Sequence, residues 1–104
     1  MPIKAIREKG EKMRVKITAW VKGEYIFSEV LLKEKTLTDL LKQISTQNGK
    51  TLFELLIKKD GTGDEKYMIK INNARIDVNR KLDIPLNSDD HVVVTSKFQF
   101  AAGG

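Results

Sequence analysis

Met13-Arg14-Val15-Lys16-Ile17-Thr18-Ala19-Trp20-Val21 alternates in polarity along its length. Met13, Val15, Ile17, Ala19 and Val21 fall on one face; Arg14, Lys16 and Thr18 fall on the other. Period two marks a half-buried strand. Trp20 lands on the polar side, where it covers a hairpin edge or belongs to a partner patch; the alternation does not choose. Lys22-Gly23-Glu24 supplies a turn. Tyr25 to Leu32, rich in aromatic and β-branched residues, reads as the second strand of a hairpin. Both of its faces carry apolar residues, so its buried side stays open.

Downstream the period changes. Thr36 caps a predicted helix, and Asp39 places a carboxylate in its first turn. Leu37, Leu40, Leu41 and Ile44 make one apolar stripe, and Gly49 is the expected stop. Residues 51–59, with Leu52, Phe53, Leu55, Leu56 and Ile57, read as a second short helix. Residues 60–66 form a polar loop. Its Gly61 and Gly63 lack the Gly-Lys-Ser/Thr or the helix lead-in of a phosphate cradle, so a plain connection is expected. Tyr67 to Asn72 is a third strand, Asn72-Asn73-Ala74 a turn, and Arg75 to Val78 a short fourth strand. Leu82, Ile84 and Leu86 lie on a connection interrupted by Pro85, and Ser88-Asp89-Asp90 turns into the last strand. There Val92, Val94, Ser96, Phe98 and Phe100 share one face.

The chain has 104 residues, enough for one small core. Three segments follow: a basic extension over 1–12, a domain over 13–100 and a tail over 101–104. Cysteine is absent, which excludes disulfides and thiolate metal sites, and a single His91 builds no metal site alone. No run suits a membrane span and no apolar leader precedes the domain, so a cytoplasmic protein that is monomeric when free is expected. The net charge is +5. Lys4, Arg7, Lys9, Lys12, Arg14, Lys16 and Lys22 face only Glu8 and Glu11 in residues 1–22, whereas the remainder balances. The excess thus belongs to an N-terminal segment, which is commonly a solvated end.

At the other end stand Ala101-Ala102-Gly103-Gly104. A terminal Gly104 carries an α-carboxylate with a reference pKa of about 3.5. Small residues behind it pass through a narrow channel, since glycine sets no Cβ against the walls. Such a tail suits another protein's active site.

Residues 13–104 resemble the ubiquitin-like β-grasp sulfur carriers: the small subunit of molybdopterin synthase, the thiamine-pathway sulfur carrier and the ubiquitin-related modifier. Three stretches carry the likeness. Leu31 through Thr36-Leu37 and Leu40-Leu41 matches a strand end followed by a Thr-capped helix. Ile71-Asn72-Asn73-Ala74-Arg75-Ile76 resembles the family's Val-Asn-Gly-x-x-Val hairpin, with Asn73 in place of Gly. Leu86 to Val94 resembles its Leu-x-x-Gly-Asp-x-Val segment, with Ser88 in place of Gly, and a diglycine tail follows. The chain departs from the family in lacking a proline before the diglycine and in its extra length over 1–12 and 51–66.

The resemblance implies an α+β, β-grasp fold: a mixed sheet of four to five strands, one main helix packed on it and a flexible C-terminal tail. It implies that an E1-like adenylating enzyme, using its own ATP and Mg2+, activates Gly104. Sulfur transfer then yields a thiocarboxylate for cofactor biosynthesis or tRNA thiolation through a downstream acceptor enzyme. The alternative is conjugation of Gly104 to lysines of protein substrates. In either case Gly103, Ala102 and Ala101 thread the activating enzyme, and the chain binds no cofactor or metal and supplies no catalytic residue. The residues agree, because one His and no Cys build no Ser-His-Asp or Cys-His constellation. His91 is expected exposed at a strand start. Asp89 and Asp90 are expected in a turn, since adjacent strand residues point oppositely. Phe98 and Phe100 are core residues on their face or, if the sheet has ended, a partner-binding pair. Ranked behind both is a nucleic-acid-binding domain that uses the basic arm with Trp20 or Tyr25 stacking on bases.

Overall fold

The computed structural model describes residues 13–33 and 35–97. It is an α+β domain with a mixed five-stranded sheet and two short helices. Strand β1 (Met13–Val21) and strand β2 (Glu24–Leu32) form the expected hairpin, paired from Met13↔Leu32 to Val21↔Glu24. Lys22 and Gly23 join them with φ of 49° and 78°. Positive φ at both loop positions matches the right-handed twist of flanking strands.

Helix α1 (Leu37–Lys42) and helix α2 (Leu52–Leu56) follow. Strand β3 (Tyr67–Ile71) turns through Asn72 and Asn73, again at positive φ, into strand β4 (Ala74–Arg75). Strand β5 (His91–Ser96) then inserts in the middle. The order is β2-β1-β5-β3-β4. β5 runs parallel to β1 and antiparallel to β3, so the last described strand lies beside the first.

The core lies on one side of the sheet. Val15, Ile17, Ala19 and Val21 from β1 meet Val92 and Val94 from β5. Leu37, Leu40 and Leu41 from α1, with Leu52 and Leu56 from α2, cover them. Val78, Leu82 and Leu86 come from the long connection before β5, whose Ile84 carbonyl accepts the Leu37 amide at 2.8 Å.

The helical layer differs from the single main helix expected. Thr36 caps α1 as its sequence suggests, accepting from the Asp39 amide. The helix ends at Lys42, however, well before Gly49. Gln43 and Ile44 close it with bonds to Leu40 and Leu41, three residues back. The next backbone groups are then committed elsewhere. The Thr46 amide and hydroxyl both donate to the Lys50 carbonyl, and the Leu52 amide donates to Ile44. Serine and threonine often draw the backbone out of a helix in this way. Ile44 stays buried, so the apolar stripe survives the early stop. Gly49, at φ 84°, serves the small turn that follows. α2 begins with a reciprocal cap between Thr51 and Glu54, and Lys42 Nζ sits 4.8 Å above the Phe53 ring, tying the helices together.

The short fourth strand is also briefer than expected. The paired residues end at Arg75, the Ile76 amide makes one further bond to the Ile69 carbonyl at 3.0 Å, and Val78 turns into the core. The reason lies opposite, where Gly63 packs against that bend. Its amide donates to the Val78 carbonyl at 2.6 Å. A Cβ on Gly63 would lie 2.8 Å from Leu82 Cδ1 and 2.9 Å from Val78 Cβ. Gly63 thus serves close packing and not a phosphate. Gly63→Ala is expected to cost about 1–3 kcal/mol, read as a lower urea midpoint at unchanged slope.

Candidate functional site

Gly104, Gly103, Ala102 and Ala101, with Phe98 and Phe100, lie outside the described residues, as does the basic segment 1–12. The structure shows the base from which the tail departs and the sheet surface beside it.

That base is the end of β5. The Lys97 amide donates to the Lys66 carbonyl at 2.7 Å, holding the exit against the loop before β3. Lys58, Asp64, Glu65 and Lys66 line a shallow hollow next to Lys97. Tyr67 is buried just inside this corner. Desolvation raises its phenol pKa above the ordinary 10.0, and the nearby Asp64 carboxylate adds to the rise. Residues 60–63 are held by Asp60, whose carboxylate accepts from the Thr62 amide and hydroxyl. Those two bonds hold the Asp60 pKa below its ordinary value.

The start of β5 is held by a polar clasp. Asp90 is buried, and its two carboxylate oxygens accept from Asn72 Nδ2 and from the Asn87 amide, both at 2.7 Å. Asn72 Oδ1 in turn accepts from the His91 amide at 2.9 Å. The Asp90 carbonyl accepts from Lys16, and the Asp89 amide donates to Arg14. Asp89 sits at φ 70°, as a turn residue. The two aspartates therefore split their roles as adjacent residues should, one shaping the turn and one locking it. His91 is half-buried, not exposed, because its Nε2 lies 2.8 Å from Thr18 Oγ1 on the neighbouring strand.

Residues directly opposite in a sheet share a face, so the pairing maps the surface away from the helices. Across it run Tyr25, Trp20, Thr95 and Met68; then Phe27, Thr18, Val93, Lys70 and Arg75; then Glu29, Lys16 and His91. Arg14 and Leu31 close the far end. Trp20, Tyr25, Phe27 and Leu31 are 45%, 63%, 58% and 53% exposed. The Trp20 and Tyr25 rings meet edge to face at 6.1 Å. The hairpin ambiguity thus resolves. β2 buries Val30 and Leu32 and turns Tyr25, Phe27 and Leu31 outward. Sequence reasoning singled out Trp20 and passed over Phe27 and Leu31, although their register with Thr18 and Arg14 was implicit once the turn was placed.

Among the described residues no three His, Cys, Asp or Glu side chains gather as a metal site, and no helix is long and apolar enough to cross a membrane. No protein-family model matches the chain, and no curated protein matches it.

Asp90→Ala leaves the Asn72 amide and the Asn87 N–H without their acceptor. A loss of about 1–3 kcal/mol is expected in denaturant unfolding, and the Asn72→Ala, Asp90→Ala double variant should lose less than the sum of the two single changes. For Tyr67 the sign follows from its raised pKa. The native state keeps the phenolic proton after the unfolded chain has lost it, so stability falls as pH rises above about 10. Urea midpoints measured from neutral to alkaline pH should drop more steeply for the parent protein than for Tyr67→Phe.

Proposed function

We propose that this chain is a ubiquitin-like β-grasp carrier with Gly104 as its reactive group. Its globular domain is the handle by which an E1-like enzyme holds it. A mixed five-stranded sheet with its helical segments gathered on one side supports that reading, as do the family-like stretches that fall at the α1 cap, the β3–β4 turn and the entry to β5. The observation that carries it is the position of the exit. The chain leaves a central strand, β5, clamped at Lys97, and residues 98–104 end in Gly103-Gly104. Fully extended, they span about 25 Å at most. That length takes a carboxylate from the domain surface into a partner's active site.

The chemistry assigns the work to the partner. A Gly104 carboxylate oxygen attacks the α-phosphate of ATP, pyrophosphate leaves, and an acyl-adenylate forms. The activating enzyme supplies ATP and Mg2+ for that step. A carboxylate alone acylates poorly because oxide is its leaving group, and adenylation replaces oxide with AMP. Hydrosulfide displaces AMP to give the thiocarboxylate directly; with a persulfide donor, the terminal sulfur displaces AMP to give an acyl disulfide, and a thiol then breaks that S–S bond, forming a disulfide with the donor's sulfur and releasing the thiocarboxylate. The described side chains of this domain take no part beyond binding and presentation. In the alternative outcome, a lysine amine displaces AMP and an isopeptide bond forms.

Intact-mass measurement separates the outcomes. Incubation with a cognate adenylating enzyme, ATP, Mg2+ and a sulfur source should add about 16 Da, the exchange of one oxygen for sulfur on the activated acyl group. A chain lacking Gly103 and Gly104 should keep its circular dichroism and unfolding midpoint and gain nothing. Adducts on other proteins would assign the modifier role. An unchanged mass with every active adenylating enzyme offered would sink both.

A further inference from the structure

We propose that the open face of the sheet binds single-stranded nucleic acid, with Trp20, Tyr25 and Phe27 as the stacking surface and Lys16, Lys70 and Arg75 as the phosphate contacts. The pairing register brings these residues to one side of the sheet. The binding is independent of any chemistry at Gly104.

Two features of the face support a nucleic acid. The first is the aromatic corner. Three large rings stand on adjacent strands, each roughly half exposed, on a surface that β-sheet pairing holds rigid. Trp20 and Tyr25 are cross-strand partners, and Phe27 is the next outward residue along β2. Every base has a π-face, and stacking on such rings is worth about 1–3 kcal/mol per base. The second feature is charge. Among the described residues, the strands turn Arg14, Lys16, Lys70 and Arg75 to this side and a single acid, Glu29. Glu29 lies 3.9 Å from Arg14 and stands directly opposite Lys16, which leaves Lys70 and Arg75 without an acid opposite them on the face. Lys70 and Arg75 are themselves cross-strand partners, in the same row as Phe27. Like charges set opposite each other destabilise a sheet, and a bound phosphate between them would offset that repulsion. With neighbouring strands about 4.8 Å apart, the row from Phe27 to Arg75 crosses about 20 Å, enough for several nucleotides. A protein would cover the apolar corner equally well, but it would find four cations and one acid on the remainder of the face. A polyanion with flat bases matches both halves.

The sole tryptophan, Trp20, reports directly. The full-length protein is titrated with an oligouridylate and an oligothymidylate of about a dozen nucleotides at about 50 and 200 mM salt. Saturable quenching is expected in at least one titration, and a third titration with oligodeoxyuridylate, which keeps the uracil base and lacks only the 2′-OH, distinguishes RNA from DNA. With about three phosphate contacts, affinity should fall tenfold or more between the two salts. Tyr25→Ala with Phe27→Ala should weaken binding tenfold or more at both salts. Lys70→Ala with Arg75→Ala should weaken it mainly at low salt and flatten the salt dependence. All four side chains lie wholly or partly at the surface, and circular dichroism checks the fold of each variant. Removing Gly103 and Gly104 should leave binding unchanged, which separates this face from the tail. Unmoved fluorescence at low salt overturns the assignment, and so does binding that ignores both double variants or vanishes only when residues 1–12 are deleted.

Discussion

The parallel pairing of β1 with β5 is the contact on which the rest depends. It sets Ile17 beside Val92 and Ala19 beside Val94, with all four side chains fully buried. A slip of one residue would turn that apolar row to water and the polar row to the core. The register is secured from outside the strands. Asp90 accepts the Lys16 amide on its carbonyl, while its carboxylate reaches the β3–β4 turn through Asn72. One aspartate therefore fixes β5 against both of its neighbours. A buried polar group of this kind is costly unless satisfied, and both of its oxygens are.

Much of this architecture can be read from the chain, and the omissions have physical causes. β1 is legible because its strict alternation has one stable reading. The α1 stripe is legible because leucines at helical spacing have one buried face, and Thr36 marks its start. The helix end is not, because the decisive bonds run from Thr46 to Lys50 and from Leu52 to Ile44. Those bonds depend on where the chain returns, and local pattern is silent on that. The face of β2 is obscure for a related reason: Tyr25, Phe27 and Leu31 are apolar yet outward. An apolar residue facing water looks like core until its cross-strand partner is known. Asp90 looked like half of an unremarkable turn, since its value comes from an asparagine eighteen residues away. Of the candidate site, only the platform beneath the tail falls within the described residues. The tail itself is known by its sequence.

The two sides of the sheet divide the labour. Helices, the long connection and Gly63 close one side into a dry interior. The other side is left with rings, cations and the half-buried His91. The tail's exit at Lys97 stands at the end of β5, one residue beyond Ser96 and close to the row holding Trp20 and Thr95. Whatever rests on the open face therefore lies near the root of the tail.

Placing the first described strand against the last also has a consequence during synthesis. As the polypeptide emerges from the ribosome, the β1–β2 hairpin has both its strands in hand, yet the far edge of β1 has no β5 to pair with until residues 91–96 have been made. Such distant contacts slow folding, because loop closure must precede any gain from packing. In that interval the nascent hairpin leaves the backbone edge of β1 unpaired, and neighbouring chains compete for the place that β5 will take. The edge that closes the finished sheet is thus the one its newborn form leaves open longest.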